Sequence, residues 1–506
     1  MPSKNNSTSF LKQTYSNIIS GWGSIAVVAI ASIVLTPLLL NNLGKEIYGL
    51  WLIIFNFLGY LYLADFGITN AIIRLYAKYN VDEKKDLSKL ISTSYFIVIL
   101  IDLILILILV ISKDSIFRFL NIKNEFVEIF TFLFLVGIVE IFSQFILRVN
   151  IGILKGKHKF DYAYRLEGLA AFLRLIVISA LLITNTFSIF TFAILYSFIK
   201  IFSDGLSLIY IWKDLKRFRF EIDFKTFREL FDIGSSTLLS SVSGLLINSL
   251  PILLFGKFFG LASVFLYSIP MAVSRILTRL INTFYNGVTP KSSELKTLNN
   301  LKEIEEISSF GVKFSILLSF SFLLFVIIFG ETVFNFWLGN SVITGNDLII
   351  LSNMLIILLF FVFLETSQKI NIFIYKSTGL HWFVTLESII STSLLYLSSF
   401  FLYSYFGFYV FAISLVIVGF FKFIFYKFIA RQKVPTYSMS FLSLLVFCLF
   451  CIAGFYLKQI SQNSLPLGII LFFITYLLFF LLNFYYLFNS AEKKIIIRQV
   501  SSIFSK

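Results

Sequence analysis

Residues 99–111 read ILIDLILILILVI, with Asp102 as the one polar residue in the run. A transmembrane β-strand alternates apolar and polar side chains over about ten residues. This run does not alternate, so it reads as a helix. Extended to 90–111, it has the roughly 20 apolar residues that a helix needs to cross a hydrocarbon core of ~30 Å. Thirteen similar segments lie at about 18–40, 47–70, 126–149, 166–184, 189–211, 231–255, 261–289, 310–330, 348–374, 382–403, 408–429, 439–457 and 467–488. The expected fold is an all-α polytopic membrane protein with about 14 transmembrane helices.

The composition agrees. Of 506 residues, 58% are hydrophobic and 14% charged, against roughly 45–50% and 25% in soluble domains. Mean hydropathy is +0.91. Such a chain is not a water-soluble enzyme, a secreted domain or a disordered segment; its apolar surface needs lipid as solvent. Residues 1–17 are mostly polar and the run at 18–40 is long enough to stay in the membrane, so no cleavable signal peptide is expected. Cys448 and Cys451 sit in an apolar run and read as small packing residues. His158 and His381 are far apart in sequence, so neither a metal site nor a cofactor is expected.

The formal net charge of +15 would suggest nucleic acid in a soluble protein. In a membrane chain it reads first as topology, because cytoplasmic loops are enriched in Lys and Arg. With the N-terminus placed inside, and with Lys313 and Lys427 at span ends counted as cytoplasmic, 29 of the 42 basic residues fall in cytoplasmic segments, 6 in external loops and 7 within spans. Both termini are therefore expected in the cytoplasm, with no nucleic-acid partner. The external loops are short. The 290–309 loop reads as a short cytoplasmic surface helix.

Two stretches resemble each other, LTPLLLNNLGKEIYGLW (35–51) and SLPILLFGKFFGLAS (249–263). Pro37, Gly44, Lys45 and Gly49 align with Pro251, Gly256, Lys257 and Gly260. The offset equals six spans, an even number, so the two halves run parallel. This predicts two pseudo-symmetric six-helix bundles, 1–212 and 213–430, facing each other across a cleft. Two extra spans and a cytoplasmic tail follow in 431–506.

Charges inside spans carry the functional signal, since one at mid-bilayer costs about 2.5–3.5 kcal/mol on insertion scales. Glu365 with Lys369, and Lys200 with Asp204, are spaced i,i+4 and can neutralise each other on one helix face. Arg148 lies near a span end and can snorkel. Glu167, Asp232 and Glu387 lie near cytoplasmic ends, where headgroup water is expected to reach them. Arg275 and Arg279 are harder to neutralise. They sit midway along span 8, share a face, carry the same sign and have no acid within a turn. An acid from another helix, such as Asp65 or Asp102, would make them structural. Otherwise they form a doubly cationic site for an oxyanion, which a planar guanidinium binds bidentately. Arg174 and Lys422 are further candidates for that cavity. Ser236, Ser240, Ser243 and Asn248 form a polar stripe on span 7, read as helix packing or as lining for a hydrated cleft. Pro251 and Pro270 can kink spans 7 and 8.

Residues 38–79 resemble the N-terminal signature of Wzx-type polysaccharide flippases. These belong to the multidrug/oligosaccharidyl-lipid/polysaccharide exporter superfamily. The matching pieces are Leu43-Gly44, Tyr48-Gly49, and Asp65-Phe66-Gly67 with Asn70 and Arg74. The resemblance implies translocation of undecaprenyl-diphosphate-linked oligosaccharide repeat units from the cytoplasmic to the outer leaflet of the bacterial inner membrane. The product would be O-antigen or capsule. It also implies alternating access coupled to H⁺ or Na⁺, membrane lipids as surroundings, and a polysaccharide polymerase and chain-length regulator as partners. Asp65, Gly67 and Arg74 are then gating or coupling candidates, as are Glu365, Lys369 and Asp102. The alternatives are a multidrug or small-molecule ion antiporter of the same superfamily, which would favour a cavity rich in acids, and a membrane polymerase or glycosyltransferase. That enzyme would need a substantial external catalytic loop.

Overall fold

The computed structural model describes residues 4–487 except 62–66, 82–85, 158, 216–220, 340–342, 430–433 and most of 286–297. The described chain is helical throughout: α1 (Lys4–Leu61), α2 (Ile68–Val81), α3 (Leu87–Phe119), α4 (Val127–Gly156), α5 (Phe160–Ile183), α6 (Ile189–Gly205), α7 (Ser207–Leu215), α8 (Phe224–Asn248), α9 (Leu250–Phe259), α10 (Val264–Tyr285), α11 (Leu301–Leu338), α12 (Gly345–Ser377), α13 (His381–Phe406), α14 (Val410–Ile424), α15 (Phe441–Asn463) and α16 (Leu465–Leu487). Helix accounts for most of the described residues of every expected span. Among the described residues, eleven stretches are long and apolar enough to cross a membrane. Two of these, Ile19–Gly59 and Trp382–Phe428, each contain two expected spans, and the last span appears as the shorter apolar Pro466–Leu482.

α3 explains why lipid is the right solvent. Leu103, Ile104, Leu107, Ile108 and Ile111 are 51–73% exposed, whereas Val98, Asp102 and Leu109 on the other face are buried. Exposed aliphatics with the polar group turned inward invert the soluble pattern. The helix starts on Asp86, whose carboxylate accepts from the Ser88 backbone N–H at 2.8 Å. That bond satisfies one of the orphan donors of the first turn.

The structure adds three details. Gly67, at φ +75°, interrupts expected span 2 just before α2 begins at Ile68; residues 62–66 lie outside the described ones. Of the 290–309 segment expected to form a surface helix, most of 290–297 lies outside the described residues. Residues 301–309 are the first turns of the 38-residue α11, capped by Asn300, whose side chain accepts from Glu303 N–H. The repeat is also in a different register. Gly44 (φ 74°, ψ 169°) matches Gly260 (φ 82°, ψ 160°), not Gly256. Both take a left-handed conformation that a side chain disfavours, and each hands one span to the next. Gly49 has its own reason: a Cβ there would lie 2.0 Å from the Leu261 carbonyl oxygen.

The pattern extends through both halves. Six of the seven hairpins read as external turn at Gly44, Asn121, Asn185, Gly260, Gly339 and Gly407, each with positive φ. A helix that must reverse direction within a few residues ends most cheaply on Gly or Asn.

The described chain forms two compact units, Met1–Ser268 and Ile269–Lys506. In the first, α1 packs on α5 and α4, and α2 packs on α4 and α8. In the second, α11, α12 and α14 form the centre, with α15 and α16 against α11.

Candidate functional site

α10 carries Arg275 and Arg279 one turn apart, inside the candidate span Leu261–Asn282. Pro270 lies within the same helix. Arg275 is partly buried and Arg279 exposed. Their i,i+4 spacing puts both guanidiniums on one face of the helix, where like charges repel. Nearby polar side chains are used locally: Ser274 donates to the Met271 carbonyl at 2.9 Å and Thr278 to the Ser274 carbonyl at 3.2 Å. Two forked donors of one sign thus lie one turn apart on an apolar helix, a pairing of groups suited to a multiply charged oxyanion.

Lys422 sits in a different environment. α12, α13 and α14 pack together and bring four charges into one buried network. Lys369 donates to Glu365 at 3.1 Å. Lys422 lies 3.8 Å from Glu365 and 3.5 Å from Glu387. Glu387 also accepts from Ser391 at 2.5 Å and from Tyr426 at 3.2 Å. Tyr426 reaches it from a π-helical turn, Phe425–Ile429, that extends α14. The i,i+4 pairing of Glu365 with Lys369 is present as the sequence suggests. Glu387 departs from expectation: instead of meeting headgroup water it is 1% exposed. Its neighbours replace that water, because helix packing closes over it.

Arg174 belongs to a second balanced cluster, between α4, α5 and α6. Its guanidinium lies 3.8 Å from Glu140 and 3.4 Å from the Tyr196 ring centroid, and its Nε donates to the Tyr196 carbonyl at 3.1 Å. Glu140 accepts further bonds from Gln144 at 2.7 Å and Ser197 at 2.6 Å. Tyr196 meets Trp51 edge-on, and Trp51 stacks on Phe55. Lys200 and Asp204 form the expected pair at 2.7 Å.

Asp102 is fully buried, and among the described residues neither carboxyl oxygen has a hydrogen-bond partner. Gly67 is buried at the turn into α2, while Arg74 is exposed on α2. Asp65 lies outside the described residues, as do the side chains of Ser236 and Ser240; Ser243 is buried. Cys448 and Cys451 are free and line an apolar cavity of about 350 Å³ with Leu323, Ile356, Phe360 and Ile413. Among the described residues no His, Cys, Asp and Glu group is arranged to hold a metal.

The sequence left two partners unassigned: Glu387 for Lys422 and Glu140 for Arg174. Both pairs cross between helices, where spacing gives no signal. An intramembrane acid is itself a signal, and each of these acids balances a base that composition alone leaves over.

The family described as "Polysaccharide biosynthesis protein" matches residues 15–296. A provisionally named O-antigen transporter of Shigella flexneri is 26% identical over 339 residues, covering 66% of this chain and 78% of that protein. A transporter of the MOP superfamily from Pyrococcus furiosus Vc1 superposes with a TM-score of 0.61 at 16% identity, covering 83% of this chain and 96% of the other. An inward-facing multidrug resistance MATE family transporter of the same superfamily gives 0.61 at 15% identity, covering 90% and 94%. At these identities the two structures inform the fold alone.

Proposed function

This chain belongs to the polysaccharide biosynthesis protein family and is a multi-pass membrane transporter with the MOP fold rather than an enzyme; from that premise we propose that it is a flippase for lipid-linked oligosaccharide. The cargo is an undecaprenyl-diphosphate-linked repeat unit, moved from the cytoplasmic to the outer leaflet of the inner membrane for O-antigen or capsule. Transport proceeds by alternating access coupled to H⁺ or Na⁺, with both termini cytoplasmic. A polysaccharide polymerase and a chain-length regulator are the downstream partners.

The observation that carries this reading is the pair Arg275 and Arg279, one turn apart inside an apolar span. A diphosphate cannot cross hydrocarbon unaided, because stripping its water is prohibitive. Two guanidiniums within the span can replace that water. Binding must also be weak enough to release the cargo, and two donors along one helix face capture without caging. Arg174 and Lys422, each held by carboxylates, serve as balanced supports in this reading. Asp102 is the coupling candidate among the described acids, since its oxygens are buried with no hydrogen-bond partner.

The test is complementation of a flippase-null strain, with the lipid-linked repeat unit assayed in each leaflet. The wild-type chain is expected to restore surface polysaccharide. The double variant Arg275→Ala/Arg279→Ala is expected to insert at normal levels, lose export at least 100-fold and leave cargo in the inner leaflet. Normal export by that variant would sink the arginine-pair reading. Failure of the wild-type chain to move any lipid-linked sugar would sink the flippase reading itself.

A further inference from the structure

A further charged site lies in the first unit, apart from the Arg275–Arg279 pair. A cavity of about 520 Å³ opens between α2 and α8, lined by Arg74, Leu75, Lys78, Glu229, Asp232 and Ile233. Its size is within the range of small-molecule pockets. Arg74 and Lys78 are i,i+4 on α2, and both are exposed. Among the described residues neither makes a hydrogen bond or an ion pair. Glu229 and Asp232 are i,i+3 on α8. Glu229 accepts from the buried Tyr79 hydroxyl at 3.2 Å, and Asp232 lies 4.0 Å from Arg228 on the outer surface. The two acids are thus held on their own wall by neighbours, while the two bases opposite keep their donors for something else.

This two-sided lining selects a ligand by chemistry. A bare anion is attracted by one wall and repelled by the other, and a bare cation likewise. A molecule with an anionic end and a hydroxyl-rich end satisfies both. Arg supplies a planar fork for phosphate oxygens and Lys a compact point charge. Ionised carboxylates only accept hydrogen bonds, and sugar hydroxyls donate them. We propose that the α2–α8 pocket is a capture site for a sugar phosphate or sugar diphosphate headgroup. Arg74 and Lys78 hold the phosphates, and Glu229 and Asp232 hold hydroxyls of the adjoining sugar. The pocket lies at the membrane face read as cytoplasmic, where such a headgroup is first presented. This rests on the flippase reading for its biological cargo, but the chemistry of the pocket can be tested without transport.

The experiment is isothermal titration of the full-length chain in lipid nanodiscs with three probes: glucosyl-diphosphoryl-farnesol, glucose 1-phosphate and inorganic pyrophosphate. Arg74→Gln/Lys78→Gln is expected to weaken all three at least tenfold. Glu229→Gln/Asp232→Asn is expected to weaken the two sugar probes severalfold while tightening pyrophosphate, because the repelling wall is neutralised. Tighter binding of the prenyl probe than of glucose 1-phosphate supports the pocket with a membrane-borne headgroup as its source. Equal binding of the two supports the pocket with a soluble sugar phosphate as its source. Unchanged affinity in the Arg74/Lys78 variant overturns the proposal. So does an equal loss on pyrophosphate and on the sugar probes in the Glu229/Asp232 variant. A thermal unfolding midpoint matching wild type confirms that each variant is folded. If the probes bind as expected but complementation fails, the flippase reading falls and the pocket stands.

Discussion

The buried network of the second unit and the α2–α8 pocket of the first have the same inventory, two acids and two bases. In the network, Lys369 and Lys422 contact Glu365 and Glu387 at 3.1–3.8 Å and lie almost wholly inside packed helices. In the pocket, Arg74 and Lys78 face Glu229 and Asp232 across an open cavity of about 520 Å³. The difference follows from the solvent each must live in. Lys369 and Lys422, enclosed by protein within spans, have no water to fall back on, and each is paired with a carboxylate instead. Charges at the membrane face keep their hydration and can stay apart until a ligand arrives. Equal charge counts therefore mean opposite things: a closed set supports the fold, and an open set can recognise cargo.

Breaking the network is the largest expected effect. Lys422→Met leaves Glu365 and Glu387 short of a cation in a buried setting and should destabilise the second unit by about 3–5 kcal/mol. Thermal unfolding in detergent or loss of membrane-inserted protein reads this out; a variant as stable as wild type would mean that water reaches the site. Arg174→Ala should follow at about 2–3 kcal/mol, since Glu140 keeps Gln144 and Ser197 as donors and so loses only part of its compensation. Asp223→Ala comes next. This residue caps α8, the helix that carries Glu229 and Asp232, by accepting from Thr226 N–H at 2.8 Å and Thr226 Oγ1 at 2.6 Å. Removing the cap should cost about 1 kcal/mol. The Thr226 bonds hold the Asp223 carboxyl below its ordinary value of 3.8. A depressed folded value means that the stabilisation is present above pH 3.8 and disappears as pH falls through the lower folded value. The gap between Asp223→Ala and wild type should accordingly close at strongly acid pH, and a gap independent of pH would contradict the cap. The smallest stability effect belongs to Arg74→Gln/Lys78→Gln, within about 0.5 kcal/mol, although its effect on ligand affinity is large. A loss of stability there comparable to that of Lys422→Met would erase the contrast between the two regions.

Much of this architecture was legible from residue order. The run at 99–111 and its thirteen counterparts became helices because hydrocarbon admits no unsatisfied backbone. Lys369 with Glu365 and Lys200 with Asp204 were legible because i,i+4 neighbours share a face in any helix. The glycine register was legible only in outline. Gly44 and Gly260 match in backbone conformation, which the letter alignment, drawn to Gly256 by the adjacent Lys257, did not register. The break before α2 was hidden by an apolar run that continues through it. Of the candidate site, the arginine pair on α10 was visible as a pattern within one helix. The α2–α8 pocket was not, since its walls are about 150 residues apart along the chain.

The sequence by itself determined the all-helical, many-span architecture and the presence of charges that lipid would reject. Those properties depend on composition along a single segment, and the membrane reads segments one at a time. Only the tertiary structure decided which charges are neutralised. Glu387 closes on Lys422, Glu140 closes on Arg174, and Arg74 and Lys78 keep their distance from Glu229 and Asp232. Coulomb energy and desolvation depend on separation and burial between helices, and neither quantity exists until the helices pack.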